Sequence, residues 1–181
     1  YKGIGEMQTM AAGVGDLKKV FSNVKTRGIW GEMQLGNLIR QSLAPGQYEE
    51  NIAVVPGSSE RVEFAIRIPD KNGATVWLAV DSKFPPESYL RLVDASRAGD
   101  APASEEARKS LVNTLRSEAK KISDKYVSPP HTADFAVMFL PIEGLYAEVL
   151  QSPELIESLQ RDLRVVPAGP GTFSALLSAL Q

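Results

Sequence analysis

The sequence predicts an α/β domain in which helices cover a mixed sheet, and three observations carry that reading. Val62, Phe64, Ile66 and Ile68 alternate with polar or small residues, the period of a strand with one buried face. A second strand-like run, Thr75 to Asp81, follows the turn segment Pro69-Asp70-Lys71-Asn72-Gly73, so the two runs pair as an antiparallel hairpin. A long helical stretch, charged on one side, then separates this hairpin from the apolar run Phe135 to Leu140, which Asp134 and Pro141 bound. A helix between two strands of one sheet is a crossover connection, so antiparallel and parallel pairs are expected together.

Taken in order, Met7, Met10, Ala11, Val14, Leu17 and Phe21 recur at three- and four-residue steps and predict an N-terminal helix within residues 1 to 24. It reads either as a helix docked on its own domain or as the end of a coiled coil that serves as an oligomerisation handle. A second helix is expected from Thr26 to Ser42, ending before Pro45-Gly46. Strands follow at Ile52 to Val55, Arg61 to Ile68 and Thr75 to Asp81. A short helix after Pro85-Pro86 holds Tyr89, Leu90 and Val93. Past a loop at Gly99 to Ala103, the long helix runs from Ser104 to Tyr126, stopped by Pro129-Pro130. After the buried strand come helices at Leu145 to Leu150 and Pro153 to Arg161, a strand at Leu163 to Val166, and a last helix entered through Gly169-Pro170-Gly171-Thr172.

Composition narrows the chemistry. The chain has 181 residues, one domain's worth, with 43% hydrophobic and 23% charged residues, a balance expected of a folded, soluble protein. Lys and Arg number 20 against 22 Asp and Glu, so any nucleic-acid-binding surface must be local. The absence of Cys removes disulfides, thiol catalysis and thiolate metal sites, and a lone His131 removes multi-histidine sites. No apolar run is long enough to span a bilayer. Because it opens on Tyr1 inside a helical pattern, the chain is read as a piece of a longer protein.

The segment Val80-Asp81-Ser82-Lys83-Phe84-Pro85 is the most informative. An acid and a lysine two apart at the end of a strand share one face. Phosphodiester hydrolysis uses such a pair: the carboxylate holds Mg²⁺, and the lysine positions or activates the attacking water or stabilises developing charge. A surface ion pair is the plainer alternative. The hairpin offers two further acids. Asp70 beside the turn lies some six residues, or about 20 Å, from Asp81 and reads as a turn residue. Glu63, with the turn centred between Asn72 and Gly73, pairs near residue 82 and is expected beside Asp81 and Lys83. Glu32, in Arg27-Gly28-Ile29-Trp30-Gly31-Glu32, sits early in the second helix, where the two glycines suggest close backbone approach. Arg116, Lys120, Lys121 and Lys125 form either a phosphate-tracking stripe or a solvated helix face. Gly169-Pro170-Gly171-Thr172 reads either as a phosphate cradle or as a helix cap.

Arg27-Gly28-x-Trp30-Gly31-Glu32, Arg61-Val62-Glu63-Phe64, Val80-Asp81-Ser82-Lys83-Phe84-Pro85, Lys125-Tyr126 with Thr132-x-Asp134-Phe135, and Met138-Phe139-x-Pro141-x-Glu143 together resemble the RmuC family of bacterial DNA recombination proteins, from near residue 20 to the C-terminus. The resemblance implies a relationship to the PD-(D/E)xK nucleases. These share a restriction-endonuclease-like core of helix, three strands, helix and strand, a mixed sheet flanked by helices; here a C-terminal α/β extension follows it. It implies Glu32, Glu63, Asp81 and Lys83 as catalytic residues, with Glu63, Asp81 and Glu32 holding Mg²⁺ or, in its place, Mn²⁺. It implies DNA as partner and a role in restraining inversions at short inverted repeats; Arg27, Lys83, Lys121 and Lys125 are the residues expected to contact the DNA. Glu63 departs from the Asp usual in the family and lengthens that arm by one methylene. The resemblance also implies a cytoplasmic location, with an N-terminal membrane segment and coiled coil in full-length members that this chain lacks. A DNA-binding or assembly module that keeps the fold without turnover is the competing expectation.

Overall fold

A computed structural model describes residues 24–181. The helix expected before residue 22, and with it the N-terminal segment 1–24 as a separate unit, lies outside the described residues but for its last position. The described elements are helix α1 (Val24–Ser42), strands β1 (Tyr48–Ile52), β2 (Val62–Pro69) and β3 (Thr75–Ser82), helices α2 (Pro86–Arg97) and α3 (Ala101–Tyr126), strand β4 (Ala136–Phe139), helices α4 (Glu143–Leu150) and α5 (Pro153–Asp162), strand β5 (Val165–Ala168) and helix α6 (Pro170–Leu180). The strands form one mixed sheet in the order β1-β2-β3-β4-β5. The first three run antiparallel; β3, β4 and β5 are parallel, each joined to the next by helices.

Helices cover both faces of the sheet. On one face, Leu35 and Ile39 of α1 and Phe173 and Leu177 of α6 pack against Phe64, Ile66, Leu78, Val80, Val137 and Phe139. On the other, Leu111, Leu115, Ala119 and Ile122 of α3 lie over Ala65, Ala79, Ala136 and Met138, with α2, α4 and α5 completing the layer. Three alanines on that face let α3 sit close to the strands, so the few longer side chains beside them are drawn into its shadow. Strand β4 is buried at every position, as an apolar strand flanked by strands and covered on both faces must be.

Three boundaries and the hairpin register differ from expectation for identifiable local reasons. Strand β1 starts at Tyr48 rather than Ile52, because an edge strand carries charge, and Glu49 and Glu50 hid it. Helix α3 starts at Ala101 rather than Ser104: the Asp100 carboxylate accepts a hydrogen bond from the Ala103 N–H at 3.0 Å, and Pro102 occupies the first turn. Strand β5 runs from Val165 rather than Leu163, because Arg164 takes a positive φ of 56° and breaks the extended run. Pro167, which lacks an N–H, is tolerated in β5 because that strand is an edge.

The fourth difference is register. Pro69 pairs with Thr75 and Phe64 with Val80, so the loop is centred on Asn72 and Gly73 alone takes a positive φ, 77°. Continued along β2, this pairing sets Glu63 opposite Asp81 rather than residue 82. Directly opposed residues share a face, so the observed register is the one that joins the two carboxylates.

The helical layer on α3 supplies much of the stability. Leu115→Ala is expected to destabilise the domain by about 2–5 kcal/mol, and the exposed neighbour Arg116→Ala by less than ~0.5 kcal/mol, in urea unfolding. Equal effects would contradict the packing described.

Candidate active site at the end of β3

Asp81 and Lys83 leave β3 on the face that α3 covers, two residues apart. The Lys83 backbone N–H donates to the Phe139 carbonyl at 2.9 Å and extends the β3–β4 pairing to the site. Asp81 is buried, 6% exposed. Its Oδ2 lies 3.1 Å from Lys83 Nζ, which also lies 3.6 Å from Glu118 Oε2 on α3. Glu63 reaches across from β2, and its Oε2 accepts the Ser82 backbone N–H at 3.0 Å. Tyr126, at the end of α3, donates its hydroxyl to the Arg61 carbonyl at 2.9 Å and ties the helix to the start of β2.

The electrostatics follow from this crowding. Burial, then the neighbouring Asp81, raise the Glu63 carboxyl from 4.5 to about 8, against the opposing pull of the Ser82 N–H and Lys83. Burial raises Asp81 as well, partly offset by Lys83. Burial pulls the Lys83 ammonium down, but Asp81, Glu118 and Glu63 outweigh it and leave the group above its ordinary value. Burial and nearby carboxylates push the Tyr126 phenol up to about 12. Two acids resist ionisation side by side while the lysine beside them stays firmly charged.

Two cavities flank this row. One of about 340 Å³ lies between β3, α2 and α3, lined by Lys83, Ser88, Thr114 and Glu118 among others. The second, of about 450 Å³, is lined by Ile29, Glu32, Met33, Arg61, Glu63 and Phe64 with Arg40, Glu50 and Asn51. Its cations are engaged: Arg40 pairs with Glu50 at 2.7 Å, and Arg61 donates to the Asn51 carbonyl at 2.7 Å.

The residues singled out in the sequence fall into three groups. Glu63, Asp81 and Lys83 come together. Glu32, exposed on α1, shares the second cavity with Glu63 and is close enough to raise that carboxyl, without a direct contact to Asp81 or Lys83. Gly31 explains how α1 gets there: a Cβ at this position would lie 2.6 Å from Ser82 Oγ, so the glycine lets the helix cross the end of β3. Lys121 and Lys125 belong to ion pairs, with Glu118 at 3.4 Å and Glu60 at 3.5 Å. The side chain of Arg27 lies outside the described residues. Asp70 is a turn residue, its carboxylate accepting the Lys71 N–H at 2.7 Å. The N-terminus of α6 is occupied by the protein itself, because Glu143 accepts the Gly171 N–H, which fits the cap rather than the phosphate cradle.

Sequence reading missed Glu118 and gave Tyr126 no role. The signal for Glu118 was present: it lies three residues after Leu115 and four before Ile122, an acid on the flank of the helix's apolar stripe.

A model of the RmuC family matches the chain over residues 1–181. Proteins described as DNA recombination protein RmuC homologs in two strains of Xylella fastidiosa are 50% identical over 182 residues, covering 99% of the chain and 40% of their own length. A homolog so described in Pseudomonas aeruginosa is 28% identical over 174 residues, 91% of the chain and 36% of that protein. The chain thus spans about two-fifths or less of these relatives. No solved structure matches it. Among the described residues no helix is long and apolar enough to cross a membrane.

The raised Glu63 carboxyl has a consequence for stability. Between 4.5 and about 8 the folded chain keeps a proton that the unfolded chain has lost, so stability falls as pH rises through that window. The slope is at most ~1.4 kcal/mol per pH unit, and smaller where water reaches the half-buried group. Urea unfolding from pH 5 to 8.5 should show this decline, and Glu63→Gln should flatten it. An unchanged slope in the variant would contradict the assignment.

Proposed function

The chain belongs to the RmuC family, and on that premise we propose that it is the nuclease-like domain of a DNA recombination protein, hydrolysing DNA phosphodiesters with Mg²⁺. The observation that carries this reading is the Glu63–Asp81–Lys83 row at the end of β3. The element order, a helix before an antiparallel three-strand meander and a helix crossing over to a parallel fourth strand, supports a restriction-endonuclease-like core, with α4, α5, β5 and α6 as its extension.

The residues fit the ion. Two adjacent carboxylates that burial makes poor anions are suited to a hard divalent cation, and Mg²⁺ commonly takes only one or two protein carboxylates, completing its shell with water and substrate phosphate. Glu63 and Asp81 would hold it, with Glu32 at the edge of the same space. When bound, the ion would polarise the scissile phosphate and ease ionisation of the attacking water. Lys83, kept charged by its carboxylate neighbours, serves as a proton-bearing donor to the developing negative charge rather than as a base that removes a proton. The buried floor under Asp81 limits competing water. DNA would cross the row from one flanking cavity to the other, with Lys121, Lys125 and Arg27 toward its backbone, and the activity would limit rearrangement at short inverted repeats. Mn²⁺ would replace Mg²⁺, and the N-terminal segment would bring copies of the chain together.

One observation favours a second reading, a DNA-binding or assembly module without turnover. Among the described residues no three His, Cys, Asp or Glu side chains are grouped to hold a metal. Under that reading DNA binding is indifferent to divalent cations.

Labelled linear, circular, hairpin and single-stranded DNA incubated with Mg²⁺, Mn²⁺ or EDTA separates the two. Metal-dependent cutting is expected, reduced at least ~100-fold in Asp81→Asn and in Lys83→Ala. Cutting that survives in Asp81→Asn would sink the nuclease assignment, and EDTA-insensitive binding without cutting would establish the alternative.

A further inference from the structure

We propose that Glu118 is the positioning residue for Lys83, holding the ammonium between α3 and β3 so that it does not depend on Asp81. This rests on the nuclease reading for its catalytic consequence, but not for its geometry.

Lys83 Nζ stands between two carboxylates from different elements, Asp81 Oδ2 at 3.1 Å on its own strand and Glu118 Oε2 at 3.6 Å on the facing helix. The two partners are not equivalent. A cation held by Asp81 competes with Lys83 for the same carboxylate. A lysine whose only counter-charge were Asp81 would then be displaced when it is needed. Glu118 comes from a different element than the carboxylate pair and remains available as a second anchor.

Glu118 is itself well placed to act as a fixed point. Its Oε1 lies 3.4 Å from Lys121 Nζ, one turn along the helix, so each carboxylate oxygen faces a different lysine. The helix under it is seated by Leu115, Ala119 and Ile122, all essentially fully buried. Lys83 and Glu118 both line the 340 Å³ cavity, with Thr114 one turn before Glu118 on α3 and Ser88 from α2. Without Glu118, nothing on the α3 side of that cavity offers the ammonium a negative charge among the described residues, and Asp81 would be left as its nearest counter-charge. Lys121 thereby gains a second role, as the counter-charge on the other oxygen of Glu118.

The test reads Lys83 directly. Exchange of its ammonium hydrogens with water, followed by nitrogen-edited NMR without metal, is compared in the intact domain, Glu118→Gln and Glu118→Asp. A partly exposed ion pair of this kind implies exchange about threefold faster in Glu118→Gln, with partial return in Glu118→Asp. In Mg²⁺-dependent cleavage, Glu118→Gln should lower kcat about tenfold with KM for DNA little changed, and Glu118→Asp should recover part of it. Lys83 exchange that is unaltered in Glu118→Gln would overturn the proposal, as would altered exchange with an unaltered kcat. If the unmodified domain cuts no DNA, the nuclease reading fails, and the exchange comparison still decides whether Glu118 holds Lys83.

Discussion

The pairing of β2 with β3 places the Glu63 and Asp81 carboxylates on one face, under a helix, where water cannot fully solvate both. Two like charges this close and this buried oppose each other's ionisation, and the surrounding structure answers that conflict. Lys83 supplies one positive charge at 3.1 Å, the Ser82 N–H supplies a hydrogen bond to Glu63, and Glu118 keeps the lysine from being wholly committed to Asp81. The arrangement leaves unsatisfied demand for positive charge at the carboxylates. Among the buried residues of the sheet, such a demand is what supports the proposed cation site.

The scaffold makes the crowding possible. Ala65, Ala79 and Ala136 let α3 approach the sheet, which brings Glu118 and Tyr126 over the site. Gly31 lets α1 cross the end of β3 on the opposite side and carries Glu32 to the edge of the second cavity. The parallel β3–β4 pair continues through the Lys83 N–H, so the lysine leaves from rigid backbone rather than from a loop. Positioning groups on strand ends and a packed helix, rather than on loops, gives the precision that the proposed phosphodiester hydrolysis would require.

Much of this was legible before the structure. The alternation through Val62 to Ile68, the Asn72-Gly73 turn and the apolar Phe135 to Leu140 run announced a hairpin followed by a buried parallel strand. Asp81 and Lys83 were recognisable because the strand period places i and i+2 together. The elements that escaped were those whose signal is weak at the level of single residues. Strand β1 carries Glu49 and Glu50 because it is an edge, and charge obscured its period. The register moved by one residue because the loop is centred on Asn72, a difference that composition does not encode. Glu118 was hidden among the charges of α3, where only its position beside the Leu115–Ile122 stripe set it apart, and its partner lies 35 residues away in sequence.

The central claim is that Glu63 and Asp81 form a cation site primed by their own reluctance to ionise. The most direct test is calorimetric titration of the domain with Mn²⁺ at pH 7 in buffers of different ionisation enthalpy, beside Glu63→Gln and Asp81→Asn. Because Glu63 titrates near 8, the account predicts binding that releases about one proton per ion, lost or strongly weakened in both variants. Binding without proton release, or binding that both variants retain, would contradict it.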